Sequence, residues 1–247
     1  MGSKIKVGIV STALLLVLAL SACDRGAPES AKPADAVDTQ AMIDLAKAAD
    51  TGDTQAMFDL GVMHYEGAGL RQDYAKAIQW YTKAADAGHA KAMFNLGVMD
   101  RDGIGTSQDY AKAIQWFTKA ADAGAPRAMC ALGVMARDGI GTRQDHAKAI
   151  QWFTKASDAG DAKAMFNLGV MHRDGTGKTK DYAKAIGWFT KSSEAGEPLA
   201  MYSLGVMASN GIGTPKNEAK AIQWFTKAAR LGDANAQAQL RRRGLNW

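Results

Sequence analysis

Four histidines and two cysteines are the residues of this 247-residue chain that could bind a metal or activate a nucleophile. Zinc sites bring such side chains together at short, defined spacings. The four histidines are scattered, and none has a second histidine or a cysteine at metal-ligand spacing. Cys130 is interpreted as a small apolar residue rather than a nucleophile, because no histidine is placed to activate it. The sequence therefore predicts no metal and no other cofactor. The histidines are His64, His89, His146 and His172.

Two short motifs resemble catalytic signatures but lack the context those signatures need. Gly177-Lys178-Thr179 is similar to the end of a phosphate-binding P-loop, yet that motif requires a glycine where His172 stands and a preceding strand. His172-Arg173-Asp174 matches a kinase catalytic triplet, but no glycine-rich loop or metal-binding partner accompanies it. Acidic residues recur as cap and loop residues rather than as one unique pair. These observations predict that the protein is not an enzyme.

Residues 1–22 have the features of a secretory signal peptide. A basic start precedes an apolar run, Val7 to Leu20, that is shorter than the roughly 20 residues of a transmembrane helix. The ending Leu20-Ser21-Ala22-Cys23 resembles the bacterial lipobox, which implies a diacylglycerol on the Cys23 thiol. Two or three acyl chains would anchor the protein stably in a membrane. The alternatives are a plain signal peptide with an incidental cysteine, or an uncleaved anchor.

Residues 23–37 are predicted to form the lipidated cysteine and a flexible tether. They contain two prolines and many small residues without a periodic apolar pattern. Asp24 resembles the signal that retains enterobacterial lipoproteins in the inner membrane. The body is therefore expected to face the periplasm of a bacterial cell envelope, with the inner membrane favoured over the outer membrane.

The charge of the chain argues against nucleic acid as a partner. The formal net charge is +5, and Lys4 and Lys6, which would leave with the signal peptide, contribute two of those charges. Nucleic-acid binding usually needs a strongly basic, clustered face. The remaining weak excess of positive charge does not predict one.

One motif recurs every 36 residues and organises the rest of the chain. Self-similarity at this period is typical of a helical solenoid. It predicts a repeat domain over 38–247, with half-unit caps at 38–53 and 234–247 that cover the end faces. The five full units, called units 1 to 5, are 54–89, 90–125, 126–161, 162–197 and 198–233. The recurring residues include Trp80, Trp116, Trp152, Trp188 and Trp224, and the Gly-x-Gly pairs that begin at Gly67, Gly103, Gly139, Gly175 and Gly211.

Each unit is predicted to contain two helices. In unit 2 the first helix stops at Gly103, and Asp109 stands where an N-cap of the second helix belongs. Gly124 follows the second helix, as a left-handed C-cap would. The second helix carries one continuous apolar stripe at i, i+3, i+4, i+7, i+10 and i+11. That stripe is Tyr110, Ala113, Ile114, Phe117, Ala120 and Ala121.

The pattern Ala-x-x-x-Leu-Gly, Gly-x-Gly, Asp-x-x-Lys-Ala-x-x-Trp-Phe-x-Lys-Ala-Ala-x-x-Gly resembles the Sel1 repeat, a relative of the tetratricopeptide repeat. The resemblance covers 38–243 and implies an all-α, right-handed α-solenoid of about twelve helices. This chain departs from the family at one position. Sel1 repeats usually have a tyrosine there, eight residues after the first alanine, packed between the helices. The residues at that position are His64, Asp100, Ala136, His172 and Ala208.

The resemblance also implies where a partner would bind. Such solenoids present first-helix residues on a concave surface, and these positions vary most here. Aromatic residues and arginine are favoured at interface hot spots. The alternatives are that the aromatic residues belong to the core and that the arginines are merely solvated. The predicted partner-binding residues are Phe58, Tyr65, Lys91, Phe94, Arg101, Arg127, Arg137, Lys163, Phe166, Arg173 and Tyr202.

A second row of charge follows the second helices. Lys76 and Lys83 recur every 36 residues as far as Lys220 and Lys227, and lysines seven apart share a helix face. The row is interpreted as a solvated outer face, with attraction to anionic lipid or cell-wall polymer as the alternative.

The resemblance implies a non-enzymatic protein-binding scaffold or adaptor, held at the membrane by lipid and facing the periplasm. The near-identity of the units suits a fast-changing partner, so the main alternative is an immunity protein that neutralises a type VI secretion phospholipase effector. Binding of cell-wall glycan is a lesser alternative. An enzyme remains as a further class, because some cysteine-rich relatives have been described as hydrolysing β-lactams.

Overall fold

The computed structural model describes residues 39–68 and 71–247, and within them it contains twelve α-helices and no strand. The predicted all-α class and the helix count are confirmed. Cys23, Asp24 and the predicted signal peptide and tether lie outside the described residues. In chain order the helices are α1 Thr39–Asp50, α2 Thr54–Glu66, α3 Tyr74–Asp86, α4 Ala90–Asp102, α5 Tyr110–Asp122, α6 Pro126–Asp138, α7 His146–Asp158, α8 Ala162–Asp174, α9 Tyr182–Glu194, α10 Pro198–Asn210, α11 Glu218–Arg230 and α12 Ala234–Arg241.

The helix boundaries follow from local capping chemistry. Before each second helix of a unit, the residue at the predicted cap position has an extended backbone, and its side-chain oxygen accepts a bond of 2.9–3.0 Å from the N–H three residues later. Each first helix ends at the first glycine of the Gly-x-Gly pair, with φ between 69° and 74°. The predicted caps are therefore confirmed. They are Asp73, Asp109, Asp145, Asp181 and Asn217.

Each unit is held together by an aromatic ring that packs against a glycine of the first helix. In unit 2 a Cβ added to Gly97 would lie 2.6 Å from Phe117 Cε1, so only glycine allows this close approach. Phe117 is completely buried between the two helices. The same pairing occurs in the other units, with Gly61 and Tyr81, Gly133 and Phe153, Gly169 and Phe189, and Gly205 and Phe225.

The units stack so that each second helix packs against the first helix of the next unit. The buried cluster around Phe153 of unit 3 accordingly includes Leu168 and Met171 of unit 4. The second glycine of the turn also serves the stack, because a Cβ at Gly105 would lie 2.5 Å from Tyr74 Cβ of the preceding unit. Within 39–68 and 71–247, all helices are too short or too polar to span a bilayer.

Candidate functional site

The aromatic row predicted to face a partner lies in the core. Phe58, Phe94, Phe166 and Tyr202 are between 2% and 4% exposed. The prediction that these side chains form an exposed row is therefore wrong, and the alternative that they belong to the core is confirmed.

The burial has two causes, which unit 2 illustrates. The Phe94 ring packs on Phe117 of its own unit, with centroids 5.6 Å apart. The next unit then covers its other face, because the Arg127 guanidinium lies 4.6 Å from the ring centroid. In unit 1 the ring that stacks on Phe58, at 4.6 Å, is that of His89, the last residue of the same unit and the N-cap of α4. In an isolated unit 2 the Phe94 ring would therefore be exposed to solvent on one face, and unit 3 covers that face.

The arginine row is also less available than predicted. Arg101, Arg137 and Arg173 are each 7% exposed, and each pairs through Nε with the aspartate that follows it, at 2.7 Å. A second nitrogen completes a two-pronged contact in all three. These arginines act as structural ion pairs rather than as a free row. Their partners are Asp102, Asp138 and Asp174.

Arg137 additionally bridges two units. Its Nη1 donates to Asn167 Oδ1 of unit 4 at 2.6 Å, and Asn167 is fully buried. We expect Arg137→Ala to lower the free energy of unfolding by about 2 kcal/mol, less than the roughly 3–5 kcal/mol of a fully buried pair, because Asp138 keeps some solvent contact. Chemical denaturation would measure this loss. Arg143→Ala, in the exposed loop of the same unit, is the control, and an equal effect of the two changes would contradict the bridging role.

The first-helix face also carries charged side chains that remain at least partly accessible, three cations and two acids, together called the charged strip: Asp59, Lys91, Arg127, Asp161 and Lys163. Lys91 is exposed, and the other four side chains are half-buried. Burial raises the pKa of the Asp59 and Asp161 carboxyls, while Lys91 lowers that of Asp59 and Lys163 that of Asp161. Of the predicted partner-binding residues, Lys91, Arg127 and Lys163 thus lie together where a partner could reach them. Tyr65 is half-buried and packs on Tyr74, with ring centroids 5.3 Å apart.

The lysine row of the second helices is ordered by aromatic contacts that sequence reasoning missed. In each unit the ammonium of one lysine lies over the ring of the half-buried tryptophan three residues earlier, between 4.0 and 4.7 Å from the centroid. The spacing of tryptophan and lysine, at i and i+3 of one helix, is the sequence signal that could have predicted this contact. The pairs are Trp80–Lys83, Trp116–Lys119, Trp152–Lys155, Trp188–Lys191 and Trp224–Lys227.

Clefts open at the position where Sel1 repeats usually carry tyrosine. Ala136 and Ala208 line clefts of about 60 and 330 Å³ in units 3 and 5. His172 lines one of about 520 Å³ in unit 4, and His64 one of about 550 Å³ in unit 1. In units 3, 4 and 5 a tryptophan of the second helix lines the same cleft: Trp152, Trp188 and Trp224.

Solved structures of related proteins share this architecture. The chain is similar to c5321 of uropathogenic Escherichia coli, a protective antigen with an SLR fold, at 35% identity and a TM-score of 0.74. That match covers 79% of this chain and 42% of c5321, so this chain spans less than half of that protein. A Sel1 repeat protein from Oxalobacter formigenes is 32% identical with a TM-score of 0.72, covering 81% of this chain and 88% of that one.

A more distant likeness is to the immunity protein Pa5087 of Pseudomonas aeruginosa. The identity is 20% and the TM-score 0.55, with 88% of this chain and 82% of that chain covered. Likeness at this level concerns the fold. None of the curated proteins matches the chain.

The family model for the Sel1 repeat matches most of the described sequence. Its five matches follow one another along the chain almost without a gap, at residues 54–89, 90–124, 126–161, 162–197 and 198–233. The helix pairs, the turn glycines and the buried rings described above lie within these ranges. The chain therefore belongs to the Sel1 repeat family.

Proposed function

We propose that this protein is a non-enzymatic scaffold that binds another protein through the charged strip, while a lipid on Cys23 anchors it to a membrane with the body in the periplasm. The observation that carries the proposal is the charged strip itself. It runs across units 1 to 4 on side chains that are exposed or half-buried, with Lys91, Arg127 and Lys163 at the same position of successive units. Charge complementarity of this kind selects a partner and speeds encounter.

Affinity capture with the purified full-length protein tests the surface. The variant Lys91→Glu, Arg127→Glu, Lys163→Glu reverses the three cations of the strip. A matched control, Lys112→Glu, Lys148→Glu, Lys220→Glu, makes the same change in charge on the second helices. We expect the partner to be retained by the wild type and the control and lost from the strip variant. Equal retention by all three proteins would overturn the assignment of the surface.

The identity of the retained protein decides which kind of scaffold this is. Envelope-assembly proteins would support an adaptor, and a secreted phospholipase effector would support an immunity protein. The fold shared with Pa5087 is compatible with either, since the two chains are only 20% identical. Retention on purified peptidoglycan in high salt, without a protein partner, would instead support glycan binding.

The anchor is tested separately. Replacement of Cys23 by serine is expected to release the protein from the membrane fraction and to abolish incorporation of labelled palmitate. Unchanged fractionation of Cys23→Ser would contradict lipid anchoring at this residue.

A further inference from the structure

Unit 4 differs from its neighbours at positions that share one cleft. Units 2 and 4 are identical over the ten residues 90–99 and 162–171, so later differences stand out. His172 replaces Asp100, Lys178 replaces Thr106, and Gly187 replaces a glutamine found at this position in every other unit. All three line the cleft of about 520 Å³. The other lining residues are shared by all five units. They are Lys184, Trp188 and Lys191.

The geometry of α9 aligns the shared part of the site. Lys184, Gly187, Trp188 and Lys191 stand at i, i+3, i+4 and i+7, so they lie on one face of the helix. The two lysines are about 10 Å apart along the helix axis. Nothing lies within 4 Å of a Cβ added to Gly187. Absence of the glutamine side chain therefore widens the cleft between the two lysines.

The substitutions also change the charge of the cleft. Three ammonium groups line it, from Lys178, Lys184 and Lys191. Lys184 Nζ lies 3.1 Å from the carboxylate of Asp181, whose position is fixed as the N-cap of α9. Among residues 39–68 and 71–247, no carboxylate forms an ion pair with Lys178 or Lys191. In unit 2 the corresponding cleft position holds the acid Asp100, so unit 4 carries the more cationic version.

A buried polar group completes the site. His172 lines the cleft and is only 7% exposed. Its Nδ1 has no hydrogen-bond partner within the described ranges 39–68 and 71–247. Burial lowers the pKa of this imidazole, and Lys178 and Lys184 lower it further, while Asp181 raises it. Burial and the two lysines therefore favour the neutral imidazole, so His172 brings no negative charge to the cleft where unit 2 has Asp100.

We propose that the unit 4 cleft, formed by His172, Lys178, Lys184, Gly187, Trp188 and Lys191, binds a phosphate monoester. Lysine ammonium groups bind phosphate as point charges. Several cations around one opening suit a compact dianion. The proposal does not depend on the protein partner, because the residues of the charged strip and those of this site are different: the site combines His172 near the end of α8 with the following turn and α9.

Calorimetric titration of the purified full-length protein with glycerol 3-phosphate tests the site. The variant His172→Asp, Lys178→Thr, Gly187→Gln gives unit 4 the residues of unit 2. We expect one site per wild-type chain and an affinity about ten-fold or more weaker in the variant, the loss expected when a charge-assisted contact is removed. The thermal midpoint should not fall, because each new residue already occupies the equivalent place in the same chain and glutamine favours the helix more than Gly187 does. Absence of saturable binding to the wild type, or equal binding by the variant, would overturn the proposal.

The reciprocal substitution is expected to create a second binding site. Asp100→His, Thr106→Lys, Gln115→Gly gives unit 2 the residues of unit 4, and the expected stoichiometry rises from one to two. A stoichiometry that stays at one would show that these three residues do not make the site. Acetate is the control for ligand class, and equally tight acetate binding would contradict phosphate selectivity.

A phosphate monoester can be free or can belong to a lipid headgroup. Co-sedimentation with phosphatidylcholine vesicles that contain phosphatidic acid distinguishes the two sources. Vesicle binding that the unit 4 variant loses would support a lipid source. Binding of glycerol 3-phosphate without vesicle binding would support a soluble ligand.

Discussion

Replacement of Phe153 by alanine is expected to lower the free energy of unfolding by about 3–5 kcal/mol. The ring is completely buried and packs on Gly133, where a Cβ would lie 2.6 Å from it. It also belongs to the cluster that joins unit 3 to Leu168 and Met171 of unit 4. The backbone at Gly133 cannot close the space, so the change leaves a cavity in the middle of the stack.

The position of the cavity should be visible in the shape of the transition. In a solenoid, stability is a sum of unit terms and nearest-neighbour interfaces, so a weak central unit uncouples the two halves. Urea unfolding of Phe153→Ala should therefore broaden or divide into two steps, with a lower apparent m value. Phe225→Ala in the last full unit is the matched control. There the loss should fray the C-terminal end, while the remaining units unfold together. Identical transitions for the two variants would contradict a stack joined only through neighbours.

The second large expected effect is a difference in stability between alanine variants at two helical glycines of unit 4, one tightly packed and one facing open space. A Cβ at Gly169 would lie 2.6 Å from Cδ1 and Cε1 of the fully buried Phe189, whereas a Cβ at Gly187 meets nothing within 4 Å. Alanine favours a helix over glycine by about 1 kcal/mol at either position. Gly187→Ala should therefore stabilise the protein by up to about 1 kcal/mol. Gly169→Ala should destabilise it by about 2 kcal/mol, because overpacking outweighs the propensity gain.

Thermal or chemical unfolding of the two alanine variants measures this contrast of about 3 kcal/mol. Since the two changes add the same methyl group to a helix of the same unit, propensity cancels from the comparison. Stabilisation by both changes would mean that Phe189 moves aside easily, and the proposed role of the glycine in setting helix separation would be wrong.

The fold was accessible from the sequence because local signals agree in every unit. The caps Asp109 and Gly103, the apolar stripe of α5 and the 36-residue period each predict the same helix pair. Agreement at several levels is what makes such a prediction secure. One contribution of the turn was missed. The second glycine of each Gly-x-Gly pair also allows contact with the preceding unit, as at Gly105 and Tyr74, and this depends on the stack.

The binding surface was harder to predict because the decisive information lies between units. Phe94 would be open in an isolated helix pair and is covered only when Arg127 of the next unit lies over it. Arg101 and Arg137 look like free cations in the sequence, although each is adjacent to an aspartate that pairs with it. The aspartate that directly follows each arginine in the sequence is the signal from which this pairing could have been predicted. Lys91, Arg127 and Lys163 were predicted correctly as first-helix residues, yet the difference between their accessibility and the burial of the aromatic row required the structure.

Each unit contacts only its neighbours, and the surfaces in contact are nearly the same from one unit to the next. The fold therefore does not fix the number of units. Insertion or loss of one 36-residue segment in register would create no new kind of junction, and both end caps would still fit. Stretches such as 90–99 and 162–171 have the same amino-acid sequence, so insertions or losses in register would join segments that already fit together in this chain. Variants in a population would then differ in length by whole units. Each such step that occurs before residue 162 would move unit 4 and its cleft by one fixed increment along the axis relative to the N-terminus.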